Sequence, residues 1–173
     1  MKLIGNKKPF AFEIADHSEG DMKIVDIWIN SISICCDDNT VYLPQFIGSV
    51  DLSLPNDLDL KKYDKYFHGL TPEQIHRFIK STRDEESENY DVEDDWIYPH
   101  HQFLDWGATT DNVTCFIFES NGNTFITFSF WREEHHNPDE INHIYKTSIS
   151  RAELRQVLTE TVSYLTNYKD GMA

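Results

Sequence analysis

The chain has 173 residues and a net charge of −15, with 30 acidic side chains against 15 lysines and arginines. Its 39% hydrophobic content suffices for a real core and argues against global disorder. So acidic a chain repels phosphate backbones and anionic lipid, which sets aside nucleic acid and membranes as partners. No run of 18 apolar residues occurs, and residues 1–10 carry charge with no apolar region behind them. Neither a membrane span nor a signal peptide is therefore expected, and the cytoplasm is the expected location. Three cysteines, Cys35, Cys36 and Cys115, make an odd count with two adjacent, which reads as a reducing compartment. The length predicts one domain over residues 1–173.

In chain order, Phe10, Phe12 and Ile14 alternate with Ala11 and Glu13, as a half-buried strand does. Residues 24–36 alternate in two phases, Val25, Ile27 and Ile29, then Ile32, Ile34 and Cys36. The flip at Asn30-Ser31 predicts a bulge or bend. Asp37-Asp38-Asn39-Thr40 is turn chemistry, and residues 41–54 read as resumed extended chain broken at Pro44 and Gly48. Thr71-Pro72-Glu73-Gln74 is a capping box with proline at the first helical position, followed by an Ile75, Phe78 and Ile79 stripe that ends near Arg83. Residues 84–95 hold one valine and one tyrosine and read as a solvated loop; the aromatic residues 96–107 should fold back on the core.

Residues 113–119 and 124–130 flank Asn121-Gly122, a pair suited to a two-residue turn. That register places Val113, Cys115 and Ile117 on one face with Phe130, Phe128 and Ile126. A loop then leads to a short strand within residues 141–149. Ser150-Arg151-Ala152-Glu153 opens a second helix, striped by Leu154, Val157, Leu158, Val162 and Leu165 and stopped at Gly171. Strands and helices that do not alternate predict an α+β fold: an antiparallel sheet with the Asn-Gly hairpin and two amphipathic helices packed on it.

The chemistry of catalysis is mostly missing. His100-His101 and His135-His136 lie near Glu133, Glu134 and Asp139, but no zinc spacing occurs and adjacent loop residues rarely share an ion. The plainer reading is solvated loop histidines beside acids, so no metal and no cofactor is expected. The acidic run lacks the glycine of a calcium loop. The cysteines sit in strands as buried, inert thiols, and seven glycines leave little material for phosphate loops. An enzyme is not expected; a metal-dependent hydrolase using the histidine pairs ranks last among the alternatives.

Charge distribution is the stronger signal. Between Arg83 and Arg132 lie 48 residues without lysine or arginine, and they contain eleven acids. Eight of these, Asp84, Glu85, Glu86, Glu88, Asp91, Glu93, Asp94 and Asp95, fall within twelve positions. Like charge so concentrated repels itself, and solubility does not require the concentration. Tyr90 inside the run and Trp96 beside it add the aromatic anchors typical of interfaces. These ten residues form the candidate partner-binding site, and the partner they suit is basic.

The opening Ile4-Gly5-Asn6-Lys7-Lys8-Pro9-Phe10-Ala11-Phe12-Glu13-Ile14, followed by Trp28 in Asp26-Ile27-Trp28-Ile29-Asn30, resembles immunity proteins of bacterial polymorphic toxin and contact-dependent growth inhibition systems. The likeness covers the first third of the chain and marks framework strands. It implies a small protein that neutralises one cognate toxin domain. A nuclease, whose cleft is built for phosphate, is the basic toxin that best suits the acidic run. The alternative is a nucleic-acid mimic that blocks a DNA-processing enzyme, in which Asp51, Asp57 and Asp59 would matter equally.

Overall fold

In the computed structural model, which describes residues 1–35, 38–55 and 57–170, the alternation at the start becomes a five-stranded antiparallel sheet. Strands β1 (Lys2–Asn6), β2 (Phe10–Glu19) and β3 (Met22–Ile29) follow one another, and β4 (Ile32–Ser33) and β5 (Thr40–Tyr42) both pair with β3. Pairs Phe10–Ile29, Phe12–Ile27 and Ile14–Val25 bury all six side chains completely. Gly5 sits at φ 90°, and a Cβ there would lie 2.5 Å from the Phe10 carbonyl oxygen and 3.0 Å from Val157. Only glycine fits this close approach.

Two expectations need correction. The phase flip at Asn30-Ser31 is a complete reversal: both residues lie at positive φ, and Ile29 pairs with Ile32. A two-residue turn and a bulge flip the inward parity alike, so alternation alone does not separate them. Residues 41–54 are mostly helical, as α1 (Leu43–Leu52), with Leu43, Phe46 and Val50 buried. Pro44 stands in the first turn, where a missing N–H costs nothing, and Gly48 is on the exposed side. Cys36, Asp37 and the expected stop at Gly171 lie outside the described residues.

Next come the short helix α2 (Asp64–Phe67), then α3 (Pro72–Ser81) and the short α4 (Ile97–His101). The α3 capping box is complete: Thr71 N–H donates to Gln74 Oε1 at 2.8 Å, and Gln74 N–H to Thr71 Oγ1 at 3.3 Å. A second antiparallel sheet follows, with order β6 (Val113–Ser120), β7 (Asn123–Phe130) and β8 (Tyr145–Ser148). Asn121 and Gly122 connect β6 to β7 at φ 50° and 78°, and Val113 pairs with Phe130, Cys115 with Phe128 and Ile117 with Ile126. The last helix, α5 (Arg151–Asp170), starts with Glu153 N–H on Ser150 Oγ and packs along α1. The fold is α+β, with two antiparallel sheets in place of one and, among the described residues, five α-helices in place of two.

The β6–β7 hairpin separates two cores. One face, with Cys115, Ile117, Ile126, Phe128 and Phe130, joins the core that holds both sheets, α1 and α5. Trp106 lies at its centre, stacked 5.6 Å from Phe12 and edge-on to Phe46 at 5.9 Å, so residues 96–107 do return to the core. The other face, Phe116 and Phe118, is covered by Tyr63, Phe67, Ile75, Ile79 and Ile97 from α2, α3 and α4 and the turn before α2. Among the described residues no helix is long and apolar enough to cross a membrane.

Candidate partner-binding surface

The acidic segment runs from the end of α3 to the start of α4, over the second core. It is a succession of tight turns, with N–H groups of Ser87, Tyr90, Val92, Asp94 and Trp96 each bonding a carbonyl three residues back. Asp91, Glu93, Asp94 and Asp95 all have positive φ, a region that aspartate tolerates better than most residues and glutamate does not. The segment is pinned at its middle: Asp91 N–H donates to the Thr82 carbonyl, Asn89 Nδ2 donates to Ser81 Oγ, and Val92 packs against the second core. It is thus less solvated than expected, because a half-buried valine and backbone bonds tie it down.

The eight carboxylates divide into two sets. Glu93 is used internally: it accepts the Tyr66 hydroxyl at 2.7 Å and pairs with Lys65. The Lys65 ammonium holds its carboxyl below the ordinary range, and Tyr66 adds to the effect. Asp95 accepts from Arg83 Nε at 3.2 Å. The other six, Asp84, Glu85, Glu86, Glu88, Asp91 and Asp94, are exposed, and among the described residues none has a lysine or arginine within ion-pair distance. Two of the ten candidate residues therefore hold the loop in shape, and the six unpaired acids form a shelf with Tyr90 and Trp96, which are 48% and 63% exposed.

Trp96 borders a feature that the sequence reading missed. A groove of 470 Å³ is lined by Leu52, Pro55, Leu58, Tyr63, Trp96 and Pro99, with Leu52 75% exposed. The segment between α1 and α2 reaches α4 directly, through His100 Nε2 on the Asp59 carbonyl at 2.7 Å. Leu52 and Leu58 are flanked in sequence by Asp51, Asp57 and Asp59, all exposed, while Lys62 lines the groove itself. A usable signal existed in the alternation of leucine and aspartate over residues 51–60, which exceeds what one buried face needs: Leu54 and Leu60 are in the core, and Leu52 and Leu58 are left for the groove. On the opposite flank, Arg77, Lys80 and Arg83 line a second depression with Tyr98, and the Arg83 guanidinium lies 4.1 Å over that ring. Three cations therefore line the α3 flank, against Lys62 in the groove beside Trp96.

Of the paired histidines, His136 is exposed as expected and the other three are not. His76, His101 and His135 are buried, and His100 is half-buried. Burial lowers the His101 pKa to about 4 while its Nδ1 donates to the Ile117 carbonyl. It lowers His76 to about 3, with Nδ1 and Nε2 facing Thr127 and Ser129 hydroxyls across β7. These two rings brace the second core. Cys35 and Cys115 are buried, and burial pushes the Cys115 thiol far above its ordinary pKa, away from nucleophilic use.

No family model matches the chain, and no curated protein sequence matches it. A solved structure does: CdiI from Burkholderia dolosa AUO158 superposes with a TM-score of 0.62, at 14% sequence identity, over 94% of this chain and 99% of that one. At that identity the likeness establishes a shared fold.

Proposed function

We propose that this protein is an immunity protein that binds and neutralises a cognate basic toxin domain. The observation that carries the reading is a fold shared with a CdiI protein over nearly the full length of both chains. It extends the resemblance of residues 4–30 to the remainder of the molecule. A CdiI is an immunity protein of a contact-dependent growth inhibition system, and the corresponding task for this chain is stoichiometric binding without turnover. The surface suited to that task is the shelf of Asp84, Glu85, Glu86, Glu88, Asp91 and Asp94 with Tyr90, Trp96 and the groove beyond. Unpaired acids would steer a cationic partner, and the apolar groove would take one of its side chains out of water. Glu93 and Asp95 belong to the same site as positioning residues, since they fix the turns that display the others.

A nuclease fits best among basic toxins, because a cleft that receives phosphates presents the opposite charge. Co-expression tests the reading: where a neighbouring reading frame encodes a large secreted protein, cells making its C-terminal domain should survive only when this protein is also made. Growth arrest despite a soluble, folded protein would refute it. Broad inhibition of unrelated DNA-processing enzymes would favour the nucleic-acid mimic instead.

A further inference from the structure

The loop after β7 holds a cluster of ligating side chains that the partner-binding surface does not use. After a turn at residues 133–134 the His135 and His136 rings lie 4.3 Å apart, and a 3₁₀ turn at Pro138–Glu140 returns a carboxylate to them. His135 Nε2 lies 2.9 Å from Glu140 Oε2. His135, His136 and Glu140 each offer one ligand atom, and the three atoms lie within 4.8 Å of one another. A tetrahedral ion with bonds of about 2.1 Å needs its ligand atoms about 3.4 Å apart. The His135–Glu140 pair is a hydrogen bond at 2.9 Å, which an entering ion would replace by displacing its proton and widening the gap by about 0.5 Å, and the exposed His136 side chain can swing to close the rest.

The cluster is built as metal sites are built, from fixed inner residues and an oriented carboxylate. His135 is only 3% exposed and its ring stacks on Phe130, with centroids 4.1 Å apart and planes 17° from parallel. Its Nε2 is the nitrogen that faces Glu140, while Nδ1, on the other side of the ring, has no hydrogen-bond partner. Glu140 is oriented from behind by Asn137 Nδ2 on its second oxygen at 3.0 Å, and the Asn137 Oδ1 caps the 3₁₀ turn through Asp139 N–H. Such outer hydrogen bonds are what aim a ligating carboxylate. The objection that adjacent histidines rarely share an ion is answered by the close approach of their rings and by Glu140, which sequence spacing alone did not bring into the set.

We propose that His135, His136 and Glu140 form a binding site for one zinc ion. Two imidazole nitrogens and one carboxylate oxygen suit a borderline divalent cation, whereas calcium and magnesium prefer all-oxygen sets. Three protein ligands leave the fourth tetrahedral position to water. The site is independent of the toxin-binding reading and stands or falls without it.

Calorimetric titration of the chelator-stripped full-length protein with zinc tests the site, together with cobalt(II) as a probe of tetrahedral ligation through its visible absorption. One equivalent of zinc should bind, with an intense tetrahedral cobalt spectrum. His136→Ala and Glu140→Gln should each weaken binding at least tenfold, and His136→Ala, at an exposed side chain, should leave the metal-free melting temperature unchanged. His68→Ala, at an exposed histidine on another part of the surface, should bind as wild type does. No saturable uptake by wild type, or uptake that His136→Ala and Glu140→Gln leave intact, would overturn the proposal.

Discussion

The two faces of the β6–β7 hairpin do different work. One closes the core that ties both sheets to α1 and α5, with Phe10, Phe12, Phe46 and Trp106 packed ring against ring. The other supports a smaller core of Phe116, Phe118, Ile75, Ile79 and Ile97, and above it lies the acidic segment. Because side chains alternate along a strand, neighbouring residues such as Ile117 and Phe118 serve different cores. Scaffold and site are thereby mechanically separable, although they share the same two strands.

The largest way to break that separation is at Trp106. Trp106→Ala should cost about 3–5 kcal/mol, as large core truncations do, and lower the denaturation midpoint for the whole molecule. A loss confined to the second core, or none, would show that the two cores are not divided as described. Acid acts mainly on the other core. His76 and His101, both there, have folded pKa values of about 3 and about 4, against 6.5 for a free imidazole. Both stay neutral when folded, so the unfolded chain binds more protons below pH 6.5. Stability is full above that pH and falls as pH drops toward 4, by about 3 kcal/mol for the two together near pH 5.5. Carboxylates with lowered pKa, Glu93 among them, add to the loss only at still lower pH. A urea midpoint unchanged between about pH 7.5 and pH 5.5 would contradict the two buried neutral rings. The smallest effect sharpens the comparison most. Ile79→Val removes one methylene beneath the loop and should cost about 1 kcal/mol. Hydrogen exchange should quicken at amides of residues 84–96 and remain slow in β2 and β3; uniform acceleration would mean one undivided core.

What sequence made legible follows from where each signal is stored. The α3 capping box and the Asn-Gly connection are local, set by residues three or four positions apart, and both are seen in the structure with their expected partners. The helix α1 went unread because Pro44 and Gly48 resemble strand interruptions, while the Leu43, Phe46 and Val50 spacing that marks a helix lies underneath them. The division of the acids needed contacts that sequence does not display: Lys65 is 28 positions before Glu93, and Tyr66 is 27. The buried histidines were misjudged for a similar reason, since paired imidazoles look polar until Phe130 or the Ile117 carbonyl is found against them.

The account depends on the six exposed, unpaired carboxylates and Trp96 meeting a basic partner. Affinity for the cognate toxin domain, measured across a salt series for the wild type and for a Glu86→Lys, Asp91→Lys, Asp94→Lys variant, tests this most directly. Wild-type binding should weaken steeply with salt, and the variant should bind about 10- to 100-fold more weakly with a flattened salt dependence, mainly through slower association. Equal affinity and equal salt dependence for the two proteins would contradict it.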